Sequence, residues 1–153
     1  MKYRLRLKTF TVAEAPTPYY SALDGPESAA RLIETMLADL DATHEHLGVI
    51  CLDARHQPRG FKVLFTGSER QSVATPAAIL RAVLVMGFEA FILFHNHPTG
   101  HVEPSADDTA TTHRVRAGAS NCGLNMLDHI IVSPKNTGRD TMAWYSFSKE
   151  GRL

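Results

Sequence analysis

The most constraining stretch of this chain is EAFILFHN, residues 89–96, a nearly continuous apolar run of strand length that ends in polar residues. A strand that is apolar at successive positions has no face to give to water, so other elements must cover both of its faces. That requirement selects an α/β design with a mixed sheet and helices on both sides, and the flanking sequence supplies the parts. From near Ser28 to about Leu40, the residues Ala30, Leu32, Ile33, Met36, Leu37 and Leu40 fall on one helical stripe. A second helix is expected from Thr75, with Pro76 in the first turn, where a missing N–H costs nothing, and Gly87 as its stop signal. A third, polar helix is expected from about Ser105 to Ser120. HLGVICLD (46–53) and GFKVLFTG (60–67), parted by the polar turn ARHQPR, read as an antiparallel hairpin. Further strands are expected at LNMLDHIIVS and near MAWYSFS. At the N-terminus, KYRLRLK (2–8) alternates as a half-buried edge strand would, and its basic face of Lys2, Arg4, Arg6 and Lys8 discourages edge-to-edge association. Residues 13–28, rich in proline and small side chains, then form a linker.

A chain of 153 residues is a single ordinary domain, able to bury roughly two thirds of the surface its unfolded form exposes. We therefore read 1–153 as one domain, with 1–27 as N-terminal strand and linker. Sixteen basic residues balance sixteen acidic ones, so overall charge gives no signature of a nucleic-acid coat or a membrane surface. Cys51 and Cys122 share no metal-ligand or CxxC spacing and read as reduced thiols. No segment approaches the ~18 consecutive apolar residues of a membrane span, and MKYRLRLKTF lacks the apolar core of a signal peptide. A cytoplasmic protein without a membrane partner is expected.

The chemistry concentrates where the apolar strand ends. His95 and His97 are two residues apart, and side chains alternate along a strand, so both imidazoles project to one side. A hydrolytic zinc needs a third protein ligand and a fourth position left for water. Asp108 is the best candidate for that ligand, because it lies in the first turn of the next helix and the loop PTGHVEP carries the glycine and proline needed to fold the turn back over the strand end. Ser105 and Asp108 also spell S-x-x-D, a helix-capping pattern that needs no metal, and two strand-end histidines can simply bond a neighbouring loop. Neither of those readings accounts for all three features inside one short window.

His95, His97, Pro98, Gly100, Pro104, Ser105 and Asp108 match the HxHPxGxxxPSxxD signature, and on these residues the chain resembles the JAMM (MPN+) metalloproteins. HNHPTG, LDHIIV, the strand-turn-strand HLGVICLDARHQPRGFKVLFTG and the ending SFSKEG resemble the RadC-like branch more narrowly, over roughly residues 28–150. The resemblance implies a three-layer α/β/α sandwich of the JAB/MPN, cytidine-deaminase-like class. It also implies one zinc ion per chain on His95, His97 and Asp108, with an upstream glutamate that activates water. Glu45, which opens the first core strand, matches that glutamate: it would take a proton from the water and hand it to the leaving amine. Ser105 would hydrogen-bond the developing oxyanion or the water. The implied reaction is hydrolysis of a peptide or isopeptide bond in a peptide or protein substrate. Full-length RadC proteins also carry an N-terminal helix-hairpin-helix region, so the chain is expected to be the short, stand-alone form. One departure is that ATPAAILRA stands where RadC-like members usually carry a charged PRE-type segment, which bears on substrate contacts there and not on the metal ligands.

The remaining histidines read more plainly. His44 and His46 belong to a polar turn before a strand and would face opposite to Glu45; His101 is an exposed loop residue and His113 lies off the Asp108 face. Asp128 and His129 are expected to support the ligands or the packing rather than bind metal. Glu34 and Glu103 are poorer bases than Glu45, one lying on a helix and the other inside the metal loop. A nucleobase deaminase would need H-x-E with P-C-x-x-C, and neither is present. The alternatives are a RadC-like binding module without turnover, engaging DNA or protein through the basic strand 2–8, and a zinc-dependent nuclease. A two-metal nuclease would want more carboxylates than this window supplies.

Overall fold

The computed structural model describes residues 22–67, 74–133 and 143–153. The basic strand expected at 2–8, and with it most of the N-terminal strand and linker, lies outside the described residues. Helix α1 spans Pro26–Leu37, strand β1 Glu45–Leu52, strand β2 Pro58–Gly67, helix α2 Pro76–Met86 and strand β3 Ala90–Asn96. Helix α3 follows at Ala106–Asn121, then strand β4 at Asn125–Val132 and strand β5 at Trp144–Ser146. The strands form one mixed sheet in the order β2-β1-β3-β4-β5, so the apolar β3 is central. β1 runs antiparallel to β2 and to β3, whereas β4 runs parallel to β3 and antiparallel to β5.

Both faces of β3 are covered, as its composition demands. On one face Phe91 and Leu93 join Val49 and Cys51 of β1 against Ile79, Leu80 and Val83 of α2 and Val115 and Ala119 of α3. On the other, Ile92 and Phe94 join Ile50 and Leu52 against Ala29, Ala30, Leu32 and Ile33 of α1. Helix, sheet and helix pair thus make the three layers expected. No helix among the described residues is long and apolar enough to cross a membrane.

The caps show why the helices start where they do. Thr75 accepts a hydrogen bond from the Ala78 N–H and Gly87 closes α2 in the left-handed conformation at φ 77°, both as expected. α1 departs from expectation. It begins at Pro26 and ends at Leu37, because Pro26 takes the first helical position and Ser28 acts from inside, accepting from the Asp24 and Gly25 N–H groups. Leu40, assigned from the stripe to the helix, lies beyond it and is 38% exposed.

Two irregularities in the sheet position the site. β1 slips register against β2 between Leu47 and Gly48, and β3 pairs β4 with a shift at Phe91/Ile92 that leaves Leu127 without a partner. Such a bulge reverses which alternate residues face each side. Met126 packs with the α2–α3 layer, but beyond the bulge Ile130 and Val132 face α1. His129, not Asp128, is thereby set beside His95.

Candidate metal centre

His95 lies in β3 on the face that Phe91 and Leu93 begin, His97 follows one residue past the strand, and both are almost fully buried. The antiparallel register pairs Leu47 with His95, and extending it by two residues puts Glu45 opposite His97. Opposed residues in an antiparallel pair share a face, so β1 delivers the glutamate to the two imidazoles. α3 packs on the same face, and its N-terminus carries Asp108 toward them.

One ligand atom from each of Glu45, His95, His97 and Asp108 lies within 4.8 Å of all the others. The two Nε2 atoms are 2.9 Å apart, Asp108 Oδ1 is 3.5 Å from His95 Nε2, and Asp108 Oδ2 is 3.6 Å from His97 Nε2. Ligand atoms around a tetrahedral zinc stand roughly 3.3 Å from one another, as bonds of ~2.0–2.1 Å require. The three groups therefore fit such an ion. Glu45 Oε1 stands further back, 4.0 Å from His95 Nε2, and is more open to solvent than the other three. His97 Nδ1 donates to the His101 carbonyl at 2.7 Å, which leaves the Nε2 lone pair of a neutral ring for a cation.

Capping at α3 does not preclude metal binding. The Ser105 N–H and hydroxyl both donate to Asp108 Oδ2, at 2.7 and 2.5 Å, while Ser105 Oγ accepts from the Asp108 N–H at 3.1 Å. This reciprocal box fixes the carboxylate so that it still faces the histidines. Burial opposes ionisation of Asp108, but the His97 hydrogen bond, the charge of His95 and the Ser105 donors outweigh it and hold the carboxyl well below its usual range. Burial also pulls His97 toward neutrality, yet Asp108, the His101 carbonyl and the charges of Asp108 and Glu45 leave its pKa raised.

Other residues singled out in the sequence take distinct places. The His101 side chain is exposed and His113 lies outside the cluster, 3.2 Å from the Arg152 carbonyl. His44 pairs with Asp41 in the turn before β1. His46 faces away from Glu45, but it is not a solvated turn residue. It is buried between Thr66 Oγ1 at 2.9 Å and the Asp41 carbonyl at 2.8 Å. Asp128 accepts from the His129 N–H, the Ser146 hydroxyl and the Ser148 N–H, and so fastens β5 and the C-terminal turn. Cys51 is buried with its thiol pushed up to about 12 by desolvation, and Cys122 is exposed; neither enters the cluster.

Two contributors escaped the sequence reading. Asn96, buried in β3, accepts from the His46 N–H at 2.7 Å and donates to the His44 carbonyl at 2.9 Å, bracketing Glu45 from both sides. Thr112 lies one helical turn after Asp108 and is wholly buried. The available signals were a lone amide in an apolar strand and an i,i+4 relation on α3.

The family model described as RadC-like JAB domain matches residues 23–152. UPF0758 proteins of Streptococcus pyogenes serotype M49 (strain NZ131) and of serotype M1 are each 34% identical to this chain over 131 residues. Those alignments cover 85% of this chain and 55% of each relative, so the chain spans about half the length of the curated relatives it matches.

Proposed function

The chain belongs to the RadC-like JAB domain family, and from that premise we propose that it is a zinc-dependent hydrolase of the JAMM type that cleaves a peptide or isopeptide bond. The observation that carries this reading is the division of labour in the cluster: two buried imidazoles and a half-buried carboxylate converge on one point, and a fourth, more exposed carboxylate is set back from it. Two imidazoles and one carboxylate form a donor set suited to zinc with a coordination position left open. When bound, the ion supplies Lewis acidity, polarising a carbonyl and acidifying water.

The rest of the chemistry falls to the chain's own side chains. Glu45 takes the proton of the attacking water and returns it to the departing amine, which leaves as a neutral group. Asn96 keeps that carboxylate in place by holding the backbone on both sides of it. Ser105, whose hydroxyl is donated to Asp108 Oδ2, turns it to the oxyanion as charge develops there.

The test is the zinc content of protein purified without chelator or nickel resin, for the wild type, His95→Ala and Asp108→Ala. About one zinc per chain in the wild type, lost in both folded variants, supports the site. Amide and isopeptide substrates are then screened against Glu45→Gln, which should keep its zinc and lose about 100-fold or more in rate. A wild type that takes up no zinc after add-back refutes the hydrolase.

A further inference from the structure

Behind the cluster, a buried line of hydrogen bonds joins β3 to α3 through β4. His95 Nδ1 lies 2.8 Å from His129 Nε2, His129 Nδ1 lies 2.6 Å from Thr112 Oγ1, and Thr112 Oγ1 lies 2.6 Å from the Asp108 carbonyl oxygen. His95 and His129 are each 1% exposed and Thr112 is fully buried, so water supplies no alternative partner.

The line has only one consistent direction. A carbonyl oxygen can only accept, so the Thr112 hydroxyl donates to Asp108, and Thr112 Oγ1 in turn accepts from His129 Nδ1–H. In the neutral ring, a proton on Nδ1 leaves the lone pair on Nε2. That lone pair accepts from His95 Nδ1–H, which leaves the His95 Nε2 lone pair pointing into the cluster. His97 is set the same way by the His101 carbonyl. With both rings neutral the two lone pairs would face each other 2.9 Å apart, an arrangement that either a shared proton or a metal ion between them relieves.

We propose that His129 and Thr112 are positioning residues that fix the tautomer of His95 and so prepare its Nε2 to bind metal. The inference rests on the metal-centre reading and deepens it. Metal-ligating histidines usually donate their second N–H to a carboxylate or a backbone carbonyl. Here a second imidazole takes that place, and because it donates to Thr112, whose hydroxyl donates in turn to the Asp108 carbonyl, the same relay holds one metal ligand's ring and another's helix turn in register. The Leu127 bulge makes this possible by facing His129 toward His95.

The experiment combines zinc affinity, by competition with a chromophoric chelator, with 15N NMR of the histidine rings in zinc-loaded protein. His129 should be seen as the Nδ1–H tautomer. Thr112→Val and His129→Leu should weaken zinc binding by about 10- to 100-fold. Thr112→Ser, and His129→Gln with an acceptor near the Nε2 position, should stay within about threefold of the wild type. His129 protonated at Nε2, or a folded Thr112→Val that binds zinc as tightly as the wild type, overturns the relay while leaving the metal centre standing. A wild type that binds no zinc overturns the metal centre and the relay with it. Should Thr112→Val fail to fold, the tautomer of the wild-type ring decides.

Discussion

His97 carries the pH signature of the site. In chelator-treated protein its pKa lies above the ordinary histidine value and that of Asp108 well below the ordinary carboxylate value, so each favours the charged form of the other. The stability due to Asp108 is present above the unfolded carboxylate value of about 3.9 and is lost as pH falls through its lower folded value. The stability due to His97 is full below about 6.5 and is lost as pH rises through its higher folded value. Their pairing is therefore worth most between about pH 4 and 6.5. The destabilisation caused by His97→Ala, measured by urea unfolding without metal, should be larger at pH 5.5 than at pH 8.5; a difference that grows with pH contradicts the pairing. His129 acts oppositely, since its lowered pKa favours the unfolded state in acid, but that contribution is present in both proteins and largely cancels in the difference. Zinc and the His97 proton compete for one lone pair, so zinc affinity should fall by about tenfold per pH unit once His97 is protonated. Competition titrations across that range check it, and a pH-independent affinity would place the metal elsewhere.

Register, more than any single element, decides what reaches the site. The hairpin, the three helices and the apolar central strand follow from periodicity and capping residues, and so does the H-x-H pair at the strand end. Periodicity says nothing of which strand lies beside which. Asn96 was therefore only one of the polar residues that end an apolar run until the β1–β3 register placed it astride Glu45. His46 looked like turn surface because Thr66, its partner, lies across the hairpin. His129 could be assigned a supporting role but not a direction, because the bulge at Leu127 sets its facing. At α1, two start signals competed, and proline at the first position outranked serine as a cap. Two substitutions test the element scale. Asn96→Ala strands the His46 N–H and the His44 carbonyl, so a loss of about 1–3 kcal/mol is expected by urea unfolding, with zinc stoichiometry kept and turnover reduced. An unchanged rate would dissociate Asn96 from Glu45. Gly48→Ala should cost about 1–3 kcal/mol or more, because a Cβ there collides with the Lys62 carbonyl and with the Phe94 ring that stacks on Phe61. Near-wild-type stability would mean that β1 and β2 can part at the Leu47/Gly48 irregularity.

On the scale of the whole molecule, the candidate metal centre draws on parts that the core already packs. His95 belongs to the central strand, His97 follows just past its end, Asp108 belongs to a helix that covers one face of the strand, and Val115 and Ala119 of that helix share a core with Phe91 and Leu93. Separating α3 from the sheet dismantles the site and opens this core, so zinc bound to the cluster would stabilise the fold as a unit rather than one loop. Free zinc at 100 times Kd should then add about 2.7 kcal/mol, provided the unfolded chain binds it negligibly. In a domain of this size each kcal/mol moves Tm by about 2–4 °C, so zinc should raise Tm by roughly 5–10 °C. The variants divide the effect. Glu45→Gln, set back from the three donors, should keep the full rise even as it abolishes turnover, whereas His97→Ala and Asp108→Ala should lose most of it. Scanning calorimetry with and without zinc reads all four proteins. Equal rises in the wild type and Asp108→Ala would show zinc acting outside the cluster, and a rise lost in Glu45→Gln would make Glu45 a ligand rather than the base.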